Sequence, residues 1–131
     1  MELISILAAG AYCFIAASVQ HLFTVYGRGL GFVMSDRADP LPASGFTGRS
    51  TRALSNSVES AAMFVPAALV VQIAAGQTAV TAAAATVYVV ARAVFLLAYW
   101  GGINKVRSLS WGIGMASIIV TYAAAIRAVL A

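Results

Sequence analysis

Charge is what this sequence has least of: twelve formal charges in 131 residues, eight basic and four acidic. A soluble domain carries about 25% charged residues. This chain carries 9%, is 62% hydrophobic and has a mean hydropathy of +0.93. A water-facing exterior cannot be built from that stock, which leaves a largely lipid-facing one. The one cysteine, Cys13, lies inside the first apolar run and excludes disulfide frameworks, CxxC redox pairs and cysteine zinc sites within one chain. The one histidine, His21, excludes a bis-histidine haem held by a single subunit. The basic balance, a formal +4, is scattered around the apolar runs and makes no basic face for nucleic acid. It fits the cytoplasmic flank of membrane spans instead.

What is present is hydrophobic length. At about 20 apolar residues per span there is room for four spans and one modest loop. Residues 3–27 carry no formal charge and form the first expected span. An n-region holding Glu2 and no Lys or Arg argues against a cleavable signal, and Tyr12 before Cys13 against a lipoprotein site. Residues 28–50 turn abruptly to Gly, Pro, Ser, Asp and Arg, with Pro40 and Pro42, and read as the one substantial loop. The 32 uncharged positions of 60–91 are too many for one span and too few for two. The break at Gly76-Gln77-Thr78 divides them into helices of about 51–75 and 78–101. After the short connection from Gly101 to Lys105, Ser110 is the expected N-cap of a last span of about 110–129. Ala82 to Ala85 read as a small-residue packing face. The expected fold class is an all-α integral membrane protein, a single domain over 1–131 built as a four-transmembrane-helix bundle. Arg28, Arg37, Arg49, Arg52, Lys105 and Arg107 in the two longer connections, against Arg127 alone opposite, place those loops in the cytoplasm and both termini outside.

Ionisable residues at membrane depth are the informative ones. At 100° per residue, Arg52, Asn56 and Glu59 fall within about 60° of one another and form a polar stripe opening the second helix. Tyr88, Arg92, Phe95 and Tyr99 share one face of the third. A buried guanidinium needs a partner, and Glu59 is the one carboxylate at similar depth, so an Arg92–Glu59 ion pair is expected. Arg28, Arg52, Arg92 and Arg107 all fall at one end of the bundle. Cations in excess beside apolar walls suit an amphiphilic or small anionic ligand, because the guanidinium fork grips carboxylates bidentately. Two plainer readings stand beside this: an interhelical hydrogen-bond network for the stripe, and positive-inside anchoring for Arg28 and Arg107. His21 reads as a packing or hydrogen-bonding residue. Tyr12, Trp100, Trp111 and Tyr122 read as interfacial belt residues, and Cys13 as inert core.

These motifs resemble the MAPEG family, the membrane-associated proteins of eicosanoid and glutathione metabolism. The residues that carry the resemblance are Arg52-x3-Asn56-x2-Glu59 with Phe64, Arg92 followed by Tyr99, and Arg107-Ser108 before the last helix. Ser35-Asp36-Arg37 with Gly48-Arg49-Ser50 is similar to a less characterised bacterial branch. The resemblance implies a left-handed four-helix bundle assembled as a homotrimer, with three sites between neighbouring subunits. It also implies that Arg52, Asn56, Glu59, Arg92 and Tyr99, with Arg28 matching less firmly, bind glutathione as co-substrate. Arg107 then inherits the catalytic role of stabilising the thiolate, and no metal takes part. Phe95 stands where glutathione-using relatives often carry Tyr, a departure that removes one hydroxyl.

Two functions of different class follow from the resemblance. The first is a glutathione-dependent transferase or peroxidase of the bacterial inner membrane, acting on lipophilic electrophiles or lipid hydroperoxides. The second is a non-catalytic lipid-binding protein or an accessory subunit of a larger membrane complex, since the family includes a member that binds lipid without catalysis. A small multidrug transporter has this length and span count, but it needs an acid deep in the first span, and here none occurs between Glu2 and Asp36.

Overall fold

The computed structural model describes residues 1–131 as four helices. They are α1 (Glu2–Val33), α2 (Gly45–Ile73), α3 (Ala79–Gly101) and α4 (Asn104–Leu130), and each is long and apolar enough to cross a membrane. No strand is present. Backbone bonding is almost all within the helices, the condition that lipid imposes on a spanning segment, with breaks at the Gly29 kink of α1 and at Pro66, which lacks an N–H inside α2.

The element bounds follow from local chemistry. Gly29 interrupts α1 at φ 80°, ψ 165°, a conformation that suits glycine, and one further helical turn runs on to Val33. The irregular loop is therefore only 34–44, shorter than the 28–50 expected. The second helix starts at Gly45, six residues before the expected 51, because Pro40 and Pro42 stop helical structure only up to Ser44. Thr78 caps α3 through a reciprocal pair of hydrogen bonds with Thr81, and Gly102 ends it in the left-handed region at φ 72°. Ser110 is not an N-cap. The last helix begins at Asn104, and the Ser110 hydroxyl bonds back to the carbonyls of Val106 and Arg107 inside it. Only Gly102 and Ile103 separate α3 from α4.

The helices pack as a square in which α1 touches α2 and α3, and α4 touches α2 and α3. The α2–α3 diagonal is in contact while α1 and α4 do not meet. Alanine dominates the buried positions, among them Ala16, Ala53, Ala68 and Ala85. Small residues let helix backbones approach closely where lipid removes any hydrophobic drive to associate. The large buried side chains sit on the α2–α3 diagonal. Phe64 of α2 stacks on Tyr88 of α3 with ring centroids 3.7 Å apart and 7° between planes. The Tyr88 and Ser60 hydroxyls hydrogen-bond at 3.2 Å beside that stack.

Two polar ties pin α1. The Tyr12 hydroxyl donates to the Val89 carbonyl at 3.1 Å, so this tyrosine is an interhelical link inside the bundle rather than a belt residue. At the opposite end from the 34–44 loop, buried Glu2 accepts from the Thr81 hydroxyl and pairs with the N-terminal ammonium at 3.1 Å. The longer aliphatic side chains, such as Leu7, Leu22, Leu97 and Ile119, point outward.

Candidate functional site

Alternating helix direction brings the C-terminal parts of α1 and α3 and the N-terminal parts of α2 and α4 to one end of the bundle. All seven arginines except Arg127 belong to this charged end or to the loop over it. Arg92 lies deepest, nine residues before Gly101, or about 14 Å along the axis at 1.5 Å per residue. It is 2% exposed and is the largest fully buried side chain of the protein.

Arg92 does not pair with Glu59. Its Nη2 donates to the Asn56 side-chain oxygen at 3.1 Å and to the Asn56 carbonyl at 3.4 Å. The reason is helical phase. The buried face of α2 carries Ala53, Ser57, Ser60 and Phe64, and Asn56 sits at its edge. Glu59 lies about 60° further round, past that edge, and is exposed on the bundle's outer surface without an ion-pair partner. Arg92 Nη1 is buried with no hydrogen-bond partner. Above the guanidinium lies an aromatic column: Arg92 Cζ stands 4.1 Å from the Phe95 ring centroid, and Phe95 meets Tyr99 edge-on at 5.2 Å and 71°. Arg107, in the first turns of α4, caps the column with Cζ 5.1 Å from the Tyr99 centroid.

The remaining candidates sit around this column. Arg52 is exposed and donates from Nη1 to the Ala43 carbonyl at 2.8 Å. That approach depends on Gly48, where a Cβ would stand 2.0 Å from the same carbonyl oxygen. Arg28 lies just before the Gly29 kink, 3.5 Å from Asp39 and 4.5 Å over the Phe32 ring. Within the chain the structure thus brings together Asn56, Arg92, Tyr99 and Arg107 through the column. Arg28, Arg52 and Glu59 stay outside it, on exposed surface.

Sequence reasoning missed Arg49, whose Nε donates to the Trp100 carbonyl at 3.2 Å and locks the start of α2 against the end of α3. Its signal was only one arginine among several in a loop-like segment. His21 makes neither a core contact nor a hydrogen bond. It is exposed and lines a cavity of about 230 Å³ with Gln20, Thr24, Arg37 and Asp39. A cavity of about 580 Å³ lies at the far end between the 74–78 turn and α4, with Arg127 among its lining residues. None of the four main cavities of the single chain is lined by Arg28, Arg52, Asn56, Glu59, Arg92, Tyr99 or Arg107.

Chemically, five guanidinium groups at this end have no carboxylate partner, and three of them, on Arg52, Arg92 and Arg107, belong to the candidate residues. The chain's ion pairs are confined to Met1–Glu2 and Arg28–Asp39. Neutral acceptors and ring faces hold the three arginines in place, and a carboxylate or thiolate is a stronger acceptor than either. Among curated proteins and solved structures no significant match is found. The MAPEG family model matches residues 1–127, nearly the whole chain. With four span-length helices and the arginine-bearing motifs at one end, this multi-pass membrane protein belongs to the MAPEG family.

Proposed function

We propose that the protein is a glutathione-dependent transferase or peroxidase acting on lipophilic electrophiles or lipid hydroperoxides. The observation that carries the reading is that the candidate residues at one end are unpaired: Arg52, Arg92 and Arg107 without carboxylates, and Glu59 without a cation. Glutathione in its reactive form presents the complement, with two carboxylates, one thiolate and one ammonium. Arg52, with Arg28 approaching from the loop side, takes the carboxylates, Glu59 takes the ammonium, and buried Arg92 holds Asn56 in place beneath them. Asn56 and Tyr99 supply neutral hydrogen bonds. Arg107 is the catalytic residue, because a guanidinium in a low-dielectric setting favours the thiolate over the thiol. The thiolate attacks an electrophilic carbon to give a thioether. With a hydroperoxide, two glutathiones become the disulfide while the hydroperoxide becomes an alcohol and water.

The site lies between subunits of a homotrimer. Support for this comes from Glu59 and Arg52, which are exposed on the outer surface of α2, and from the lack of any main cavity around the candidate residues within one chain. A carboxylate facing hydrocarbon alone is costly, and a neighbouring copy removes that exposure. The loops at the charged end face the cytoplasm of a bacterial inner membrane, where glutathione is abundant, and the membrane itself delivers the lipophilic substrate. Calorimetric titration of the detergent-purified protein with glutathione tests the reading. Saturable binding that Arg52→Ala abolishes supports it, and a folded oligomer that binds none overturns it.

A second reading is lipid binding without catalysis, alone or within a larger membrane complex. The observation in its favour is a groove of about 300 Å³ between α2 and α4, walled by Pro66, Val70, Ile126 and Val129 and nearly devoid of polar surface. Native mass spectrometry that finds phospholipid retained in the folded protein, with no glutathione turnover, would favour this reading.

A further inference from the structure

We propose that Phe95 is a positioning residue for Arg107, acting through Tyr99. The inference rests on the glutathione reading for its chemical consequence, but its geometry stands independently. Four side chains form one column from the bundle interior to the charged end, in the order cation, ring, ring, cation. Its lower end is fixed: Arg92 is 2% exposed, is held by Asn56, and lies face-on over Phe95 at 4.1 Å. Its middle is fixed by the edge-to-face contact of Phe95 with Tyr99, at 5.2 Å and 71°. Its upper end is Arg107, half-buried, whose guanidinium makes no hydrogen bond or ion pair within the chain. The Tyr99 ring, 5.1 Å away, is the cation–π platform on which it rests.

Each ring works by its quadrupole. The negative face of Phe95 attracts Arg92, and Phe95 and Tyr99 meet in the T-shaped arrangement that sets the positive edge of one ring against the negative face of the other. A change that removes the Phe95 ring leaves Tyr99 without its support, and Arg107 loses the orientation that Tyr99 sets. The same geometry gives the departure at this position a meaning. Phe95 is 2% exposed, so a tyrosine hydroxyl there must find a partner, whereas a phenylalanine needs none. The missing hydroxyl is then not a missing contact. The ring is the functional part.

The test uses the full-length protein in detergent with Phe95→Leu, Phe95→Tyr and, as a core control off the column, Phe64→Leu. The first readout needs no glutathione. It is the rate at which phenylglyoxal modifies Arg107, followed by mass spectrometry with Arg127 as internal reference. Phe95→Leu should speed Arg107 modification by about threefold to tenfold, the factor that loss of one ring contact allows, while Phe95→Tyr and Phe64→Leu leave it within about twofold of the parent. The second readout is the pH dependence of the bound glutathione thiolate absorbance. Phe95→Leu should move that profile to higher pH, and Phe95→Tyr should keep it at the parent position. Parent-rate labelling in Phe95→Leu, or an equal change in Phe64→Leu, would overturn the inference. If the parent protein binds no glutathione, the reading of the site fails, and the labelling rates still decide whether Phe95 positions Arg107.

Discussion

Arg92 is the residue whose burial is hardest to explain by stability. A guanidinium 2% exposed, with Nη1 unpartnered and no carboxylate beside it, is a poor way to fill the core of a membrane bundle. Replacing a buried ion pair by apolar side chains of similar volume is often neutral or stabilising, and removing Arg92 strands no opposite charge. Arg92→Met should accordingly leave the thermal midpoint in detergent unchanged or raise it, while weakening glutathione binding by at least about tenfold. A midpoint that falls steeply, with binding intact, would assign Arg92 to the fold instead. Arg52 and Arg107 separate differently. Arg52→Ala should abolish binding if its fork meets a carboxylate as proposed. Arg107→Ala should bind glutathione within about threefold of the parent yet lose the thiolate signal, since a cation beside sulfur acts on the charged form alone. Difference absorbance across pH, measured at saturating glutathione, checks this split.

At the scale of elements, the helices were legible in the sequence and their contacts less so. Uncharged length and the Gly76-Gln77-Thr78 break located α3 and the end of α2 to within two residues, because lipid permits so few alternatives to a helix of spanning length. The start of α2 and the N-cap of α4 were not legible. Gly45 to Ser50 is polar enough to look like loop, yet it stays helical, and Arg49 ties it to the end of α3. Ser110 resembles a cap by type, but a serine hydroxyl is equally content bonding back along its own helix. For the site, spacing alone brought Arg92, Phe95 and Tyr99 to one face. It could not decide which of Asn56 and Glu59 would meet Arg92, since 60° of helical phase against an unknown neighbour settles that choice. The 34–44 loop offers a test at the same scale. In Gly48→Ala the new Cβ, 2.0 Å from the Ala43 carbonyl oxygen, must displace the backbone that holds Arg52. The expected result is a loss of about 1–3 kcal/mol in unfolding free energy together with weaker glutathione binding. Gly76→Ala, whose Cβ would stand 2.5 Å from that of Ala128 at the far end, should lower stability by a similar amount without touching binding.

For the whole molecule, the distribution of charge argues that one chain is incomplete. Ion pairs form only between Met1 and Glu2 and between Arg28 and Asp39, leaving Glu59 and Arg52 on the outer face of α2 and the inner Arg92 and Arg107 all unmatched. A second chain and a zwitterionic tripeptide together supply what is missing, which is why assembly and ligand are parts of one proposal. Light scattering of the detergent-purified protein, corrected for detergent, should give three times the 13.5 kDa chain mass. Glu59→Gln should leave that mass unchanged while weakening glutathione, because it removes the partner of the ammonium and keeps the shape. A dissociated monomer in Glu59→Gln would instead make this carboxylate an assembly residue.

The most direct measurement is the calorimetric titration of the folded oligomer with glutathione, run beside Arg52→Ala. The expected result is saturable binding with a Kd below about 5 mM in the parent and none in the variant, a difference that one bidentate charged contact can supply. A folded oligomer that takes up no heat at about 10 mM glutathione would contradict the account, and its unpaired arginines would then belong to a lipid headgroup or a partner protein.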